Sequence, residues 1–121
     1  MRTSNNESAE NYLETILLLS KQLPAVRSID VANELNFKKS SVSVAMKNLR
    51  EKSMITVTDA GYILLTDEGR AVAEKTLERH EFFTEWFIKL GVDPEVAAED
   101  ACRIEHDLSP ETFAAIKKAI G

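Results

Sequence analysis

The chain has 121 residues, 44% of them hydrophobic, with a formal net charge of −5 and a single cysteine. That length suits one domain or two small, closely packed subdomains, and a lone thiol excludes an intrachain disulfide and fits a reducing compartment. With no signal-peptide apolar run in "MRTSNNESAENY" and no stretch near the roughly 20 apolar residues of a membrane span, a soluble, cytoplasmic protein with no membrane partner is expected.

In "SAENYLETILLLSKQ" the residues Tyr12, Leu13, Ile16, Leu17 and Leu19 recur at helical spacing. They predict an amphipathic first helix behind a Ser or Asn cap, with Glu10, Asn11 and Glu14 off the centre of its stripe. "LPAV" breaks this helix at Pro24. Ser28 is the expected cap of a short second helix, "IDVANELN", with Ile29, Ala32 and Leu35 turned inward. The tight connection "NFKKS" leads into "SSVSVAMKNLREK", where Val42, Ala45, Met46 and Leu49 form an apolar stripe. Ser40, Ser43, Val44 and Lys47 share the opposite face, which is mostly small, polar or basic. A short helix, a tight turn and a helix with such an outer face is a helix-turn-helix pattern.

Two β-rich runs follow, Ile55 to Thr58 and Tyr62 to Leu65, around "DAG", and they read as a hairpin. Thr66 then caps a long helix, helped by Asp67 and Glu68 where the helix dipole favours acids, and the helix runs to about Leu90 before Gly91 stops it. Asp93-Pro94 opens a helix expected to reach about His106, and Ser109-Pro110 repeats the device for a last helix ending near Gly121. The fold class expected is mainly α with a small β-hairpin: a winged helix-turn-helix over 1–65 followed by a helical dimerisation domain over 66–121.

Net acidity alone argues against nucleic acid, yet the charge is uneven. Residues 1–65 carry 8 Lys/Arg against 7 Asp/Glu, a balance of +1, and residues 66–121 carry 7 against 13, a balance of −6. Lys38 to Lys52 holds five basic residues and one acidic one. Because screening at physiological salt acts over roughly 8 Å, such a face can bind phosphate on an acidic protein. Double-stranded DNA is therefore the expected partner, with Lys39, Ser40, Ser41, Ser43 and Val44 near base edges and Lys38, Lys47 and Arg50 on phosphates.

A second constellation is "EDACRIEHDLSPE". On a helix Cys102, Glu105 and His106 fall at i, i+3 and i+4, so a thiol, a carboxylate and an imidazole converge on one volume. Taken alone, the triad is either a metal site or a core thiol beside a surface acid and a helix-end histidine. Two more residues stand out: His80 beside an aromatic patch in the long helix, and Glu14 at the edge of the first helix's stripe. Facing a core, each requires a partner. Phe82, Phe83, Trp86 and Phe87 gather with Leu90 at the end of the long helix, more apolar surface than one helix pair needs, and Phe82 and Trp86 are expected at a dimer interface. No enzyme motif competes: "HEFFT" lacks the second histidine of HExxH, there is no glycine-rich phosphate loop, and the cysteine has no nearby oxyanion device.

These residues resemble the diphtheria toxin repressor family of iron- and manganese-dependent transcriptional regulators over nearly the whole chain. The carrying motifs are "AENYLETI", the helix-turn-helix and wing, "RHEFF", and "DACRIEH" followed by "DLS", the last being the most specific. The resemblance implies a homodimeric repressor that binds palindromic operators when loaded with a divalent metal; the chain ends where family members with a C-terminal SH3-like domain continue, so it is either the short form without that domain or a truncated chain. It implies Glu14, His80, Cys102, Glu105 and His106 as ligands. Asn11 stands where the manganese branch has Asp and the iron branch Met, and adds at most a neutral amide oxygen. An ancillary site is incomplete, since Thr84 and Ala98 stand where an acid and a histidine are expected. A thiolate at Cys102 and an amide at Asn11 favour Fe(II) over Mn(II), with Co(II) and Zn(II) as further candidates. Two other readings stay open: a metal-independent winged-helix regulator, and a metal-binding interaction module that has lost DNA binding.

Overall fold

In the computed structural model residues 4–120 are described, with side chains from residue 9 onward. Six helices and one two-stranded antiparallel sheet are found among them: α1 (Ser4–Ser20), α2 (Ser28–Leu35), α3 (Lys39–Glu51), β1 (Ile55–Val57), β2 (Ile63–Leu65), α4 (Asp67–Lys89), α5 (Pro94–Ile104) and α6 (Pro110–Ile120). This is a winged helix-turn-helix followed by a helical domain, the architecture expected from the pattern. The first helix already begins at Ser4, so the Ser or Asn foreseen as its cap lies inside the helix rather than ahead of it. No described helix is long and apolar enough to cross a membrane. Two units divide the chain between Lys75 and Thr76, within α4.

In the N-terminal unit, Leu13, Ile16 and Leu17 of α1, Val31 and Ala32 of α2, and Val42, Met46 and Leu49 of α3 are buried with Ile55 and Ile63 of the hairpin. Side chains of this size each contribute roughly 1.5–3 kcal/mol when removed from water. The second helix departs from expectation in two ways. Its N-cap is Arg27, whose backbone N–H donates to the Asp30 carboxylate at 2.9 Å, so Ser28 lies already inside the helix. Its buried residues are Val31 and Ala32, while Ile29 and Leu35 are only half-buried. Over a mere 8 residues the stripe spans little more than two turns, and its centre is set by what the helix packs against rather than by its own period.

Asn36 ends α2 in the left-handed conformation (φ 57°), with the Phe37 N–H bonded to the Ala32 carbonyl at 3.0 Å. Asn accepts this region more readily than other side chains, which permits the tight turn into α3. The hairpin pairs Ile55 with Leu65 and Val57 with Ile63. Its strands are one residue shorter than expected at the turn side. Thr58 and Tyr62 instead close the turn, the Tyr62 N–H donating to Thr58 Oγ1 at 3.0 Å and the Thr58 N–H to the Tyr62 carbonyl at 2.9 Å. The Ile63 N–H bonds the Val26 carbonyl at 2.7 Å, tying the wing to the segment before α2.

Thr66 caps α4 as its position predicts, accepting from the Gly69 N–H at 3.0 Å while its hydroxyl lies 2.7 Å from the Ser53 carbonyl and 3.0 Å from that of Met54. The helix ends at Lys89 in a C-terminal motif where the Val92 N–H bonds the Phe87 carbonyl at 3.0 Å and Gly91 takes φ 100°. In the C-terminal unit, Phe83, Ala101 and Phe113 form the core, with Phe82, Trp86, Phe87, Ile104, Leu108 and Ile116 packed against it.

The close approach at Gly69 generates a prediction. A Cβ there would lie 1.9 Å from the Met54 carbonyl oxygen, a backbone atom that cannot rotate away. Gly69→Ala, which in an open helix interior gains up to about 1 kcal/mol, should here lose on the order of 2–3 kcal/mol through displaced backbone. Denaturant unfolding of the two proteins measures the sign.

Candidate functional site

On α3 the apolar stripe fixes which face is presented. Val42, Met46 and Leu49 are buried, so Lys39, Ser40, Ser41, Ser43, Val44, Lys47 and Arg50 are exposed, as is Lys38 just before the helix. All eight residues singled out for DNA therefore lie on the surface of one short stretch, and Val44 is 60% exposed despite being apolar. Ser43, Lys47 and Arg50 also line a recess of about 170 Å³ with Ser28, Met46 and Val57, so the start of α2, the middle of α3 and the end of β1 meet around two cationic side chains. Sequence reading passed over Arg27, whose guanidinium lies 4.9 Å from the centroid of the Tyr62 ring at the start of the wing. Only the folded hairpin brings those two together.

In the C-terminal unit, α4 contributes His80, α5 contributes Cys102, and the turn after α5 contributes Glu105 and His106. That α5 ends at Ile104 corrects the expectation of a helix to about His106. The i, i+3, i+4 spacing survives because Glu105 keeps a right-handed helical backbone (φ −61°, ψ −27°) and its N–H still bonds the Ala101 carbonyl at 3.0 Å. Ligand atoms of Cys102, Glu105 and His106 lie within 4.8 Å of one another. The two carboxylate oxygens of Glu105 serve different imidazoles: His80 Nδ1 stands 3.0 Å from Oε2, and His106 Nε2 stands 3.2 Å from Oε1.

Glu105 is 1% exposed and His106 is buried, whereas the His80 side chain is 30% exposed and Cys102 half-buried. The 3.2 Å contact of His106 Nε2 to Oε1 makes no hydrogen bond, and Oε1 is left buried without one. A carboxylate out of water with an unsatisfied oxygen costs several kcal/mol unless a cation compensates it. The donor set of one sulfur, one carboxylate and two imidazoles suits a divalent transition ion and is unlike the all-oxygen shells of calcium or magnesium. The residues fit a metal.

Glu14 and Asn11 lie one turn apart on α1 in the N-terminal unit, Glu14 buried and Asn11 half-buried. Thr84 donates its hydroxyl to the His80 carbonyl at 2.7 Å, and neither it nor Ala98 supplies a metal donor of the expected kind. Phe82 and Trp86 are half-buried against the unit's own core, with Phe82 edge-on to Phe83 and Phe113 at 5.3 and 5.5 Å between centroids. The residue missed outright is Arg79. It is 6% exposed, and its Nη1 donates to the carbonyls of Glu105 (3.0 Å) and Leu108 (2.7 Å). Its place in "RHEFF" was the one available signal.

Comparison with known proteins gives a consistent picture. Residues 6–61 match the family model of the iron dependent repressor N-terminal DNA binding domain, and residues 66–121 that of the iron dependent repressor metal binding and dimerisation domain. The chain is 32% identical over 111 residues to transcriptional regulator MntR of Escherichia coli, covering 92% of this chain and 72% of that one. It is also 32% identical over 114 residues to an uncharacterized HTH-type transcriptional regulator of Methanocaldococcus jannaschii, covering 93% and 91%. Among solved structures, IdeR of T. acidophilum superposes with a TM-score of 0.78 at 26% identity, over 93% of this chain and 53% of that one. The chain thus spans about half the length of that structure.

The donor set predicts a spectroscopic result. Titrated anaerobically with Co(II), the protein should develop a thiolate-to-metal charge-transfer band, absent in Cys102→Ser. Glu105→Ala should weaken Co(II) binding by more than about a hundredfold, beyond the roughly 10–100-fold that loss of an outer-shell partner costs. A competing chelator in the cuvette reads the affinity.

Proposed function

This chain belongs to the iron-dependent repressor family of metal-dependent transcriptional regulators, and on that premise we propose that it binds palindromic operator DNA as a homodimer when loaded with a divalent transition metal. The genes under its control are those of homeostasis for that metal, in the cytoplasm. Residues 1–65 are the DNA-binding domain and residues 66–121 the metal-binding and dimerisation domain. The observation that carries this reading is Glu105, a buried carboxylate shared between His80 and His106 beside Cys102, in a chain whose α3 presents an exposed Ser/Lys/Arg face.

The ligands we assign are Glu14, His80, Cys102, Glu105 and His106, with Asn11 an additional amide donor. When bound, the ion supplies a shared positive centre for these groups. Glu14 belongs to the DNA-binding domain and the other four to the second domain, so their common ligation removes independence between the two. The form in which all of them ligate is the DNA-competent one. Population of that form can rise only as far as the ion binds it more tightly than the others, and a shift from 1:99 to 99:1 takes roughly 5.5 kcal/mol of differential affinity.

On the operator, Lys38, Lys47 and Arg50 meet phosphates, while Lys39, Ser40, Ser41, Ser43 and Val44 approach base edges. Val44 has only methyl groups to offer, which suits a thymine methyl in the major groove. Dimerisation through the part of Phe82 and Trp86 left exposed sets the two recognition helices about one helical turn, roughly 34 Å, or a multiple of it, apart. Fe(II) is the ion that the Cys102 thiolate and the neutral Asn11 favour, Co(II) and Zn(II) being effective substitutes and Mn(II) weaker.

Two measurements test this. Operator binding against free metal, anaerobic and at fixed pH, should rank Fe(II) above Mn(II), and Cys102→Glu with Asn11→Asp should move the response toward Mn(II). A wild-type protein that answers Mn(II) better overturns the metal assignment. Separately, Lys47→Ala should weaken binding to all sequences alike and lower the slope of log K against log[salt] by about 1, since a phosphate contact carries no base information. A changed sequence preference at the same slope would move Lys47 to the bases.

A further inference from the structure

The turn that carries Glu105 and His106, two of the three grouped candidate ligands Cys102, Glu105 and His106, lies beyond the end of its helix. Backbone bonds from the Glu105 N–H to the Ala101 carbonyl (3.0 Å) and from the Asp107 N–H to the Ile104 carbonyl (3.1 Å) close the end of α5, and the carbonyls beyond Ile104 need partners from outside the helix or the turn frays. Here the partner is one guanidinium from another helix. Arg79 Nη1 donates to the Glu105 carbonyl at 3.0 Å and to the Leu108 carbonyl at 2.7 Å, bracketing the turn from its first residue to just before the start of α6. The same guanidinium carbon stands 5.1 Å from the centroid of the Phe113 ring, so α6 packs over it.

The chemistry of this contact is unusual for a purely structural arginine. Arg79 is buried, yet among the described residues no carboxylate pairs with it, and its Nε has no hydrogen-bond partner. A buried cation held by neutral carbonyls is a poor stabiliser. What the arrangement secures is orientation, because both bonds leave one nitrogen of a planar guanidinium, whose two N–H directions are fixed, whereas an ammonium rotates on its stem. Arg79 also immediately precedes His80. One turn of α4 therefore both supplies an imidazole to Glu105 and grips the backbone of the turn that bears Glu105 and His106.

We propose that Arg79 is the positioning residue of the metal centre: through the Glu105 and Leu108 carbonyls it holds the Glu105–Leu108 turn so that Glu105 meets His80 and stays grouped with Cys102 and His106. The inference rests on the reading of those four residues as ligands. Arg79 is not a ligand itself, and its effect is on how well the ligands are organised before an ion arrives. Partners of this kind change metal affinity by about 10–100-fold.

The test uses the full chain with Co(II) as probe. Wild type, Arg79→Lys, Arg79→Met and Glu105→Ala are compared for Co(II) affinity against a competing chelator, for the d–d band shape that reports coordination geometry, and for thermal unfolding of the metal-free form. Metal binding is measured well below every melting transition. We expect Arg79→Lys to lose roughly tenfold and Arg79→Met up to about a hundredfold in affinity, both with altered d–d bands, while remaining folded at the temperature of the titration. Should Arg79→Met not fold, Arg79→Lys decides alone. If Arg79→Lys binds Co(II) with wild-type affinity and band shape and differs only in melting temperature, the arginine is a structural brace and the proposal is overturned. If wild type binds no Co(II), or Glu105→Ala binds as well as wild type, the ligand reading has failed and the inference falls with it. The two failures are thus distinguishable.

Discussion

A carboxylate that is almost wholly out of water, with one oxygen against each of two imidazoles, is the constraint on which the C-terminal unit is organised. Water would solvate Glu105 far better than its protein neighbours do, so its burial is retained only if those neighbours collectively compensate the charge. His80 Nδ1 stands 3.0 Å from Oε2, while Oε1, 3.2 Å from His106 Nε2, lacks a hydrogen bond. Everything near the group reads as serving its placement: α5 delivers Cys102 one turn earlier, the Ala101 carbonyl keeps Glu105 in helical register, and Arg79 holds the turn from behind. An apolar side chain at this position would pack with less cost. Its replacement by a carboxylate beside soft and borderline ligands is intelligible as a site for an ion.

The N-terminal unit solves a different problem, presenting a cationic surface on a chain of net charge −5. The solution is segregation. Buried Val42, Met46 and Leu49 fix the rotation of α3, and that rotation leaves every basic and hydroxyl residue of the helix facing outward. Anchors at both ends hold the helix to its neighbours. Asn36 in the left-handed region sets the turn before it, and the Met54 N–H bonded to the Leu49 carbonyl leads directly into the wing. The acidic residues concentrate after position 65, outside the stretch Lys38 to Lys52 that forms this face.

Between the two tasks runs α4, whose first turns belong to one unit and whose later turns belong to the other. Its start is fixed by Thr66 and by the contact that leaves room only for glycine at position 69. Its later part carries Arg79, His80 and the aromatic residues of the second core. Thr84, on the same stretch, spends its hydroxyl on the His80 carbonyl.

Periodicity alone determined most of the architecture, because burying an apolar stripe leaves a helix little choice of orientation. The buried residues of α1 and α3, the caps at Thr66, Asp93 and Ser109, and the stop at Gly91 were all legible, each being a local rule acted on by a few neighbouring residues. The candidate ligands were legible for a related reason, since three of them fall within a single helical turn of sequence. What needed the tertiary structure was whatever depends on atoms distant along the chain. Arg27 over Tyr62, Gly69 against Met54, and Arg79 beneath the Glu105–Leu108 turn join residues 15 to 35 positions apart, and no periodic signal marks such pairs. The end of α5 at Ile104 was likewise undecidable from composition, because Glu105 and His106 retain helical spacing without the helix, held by a backbone bond to Ala101 and a guanidinium from α4.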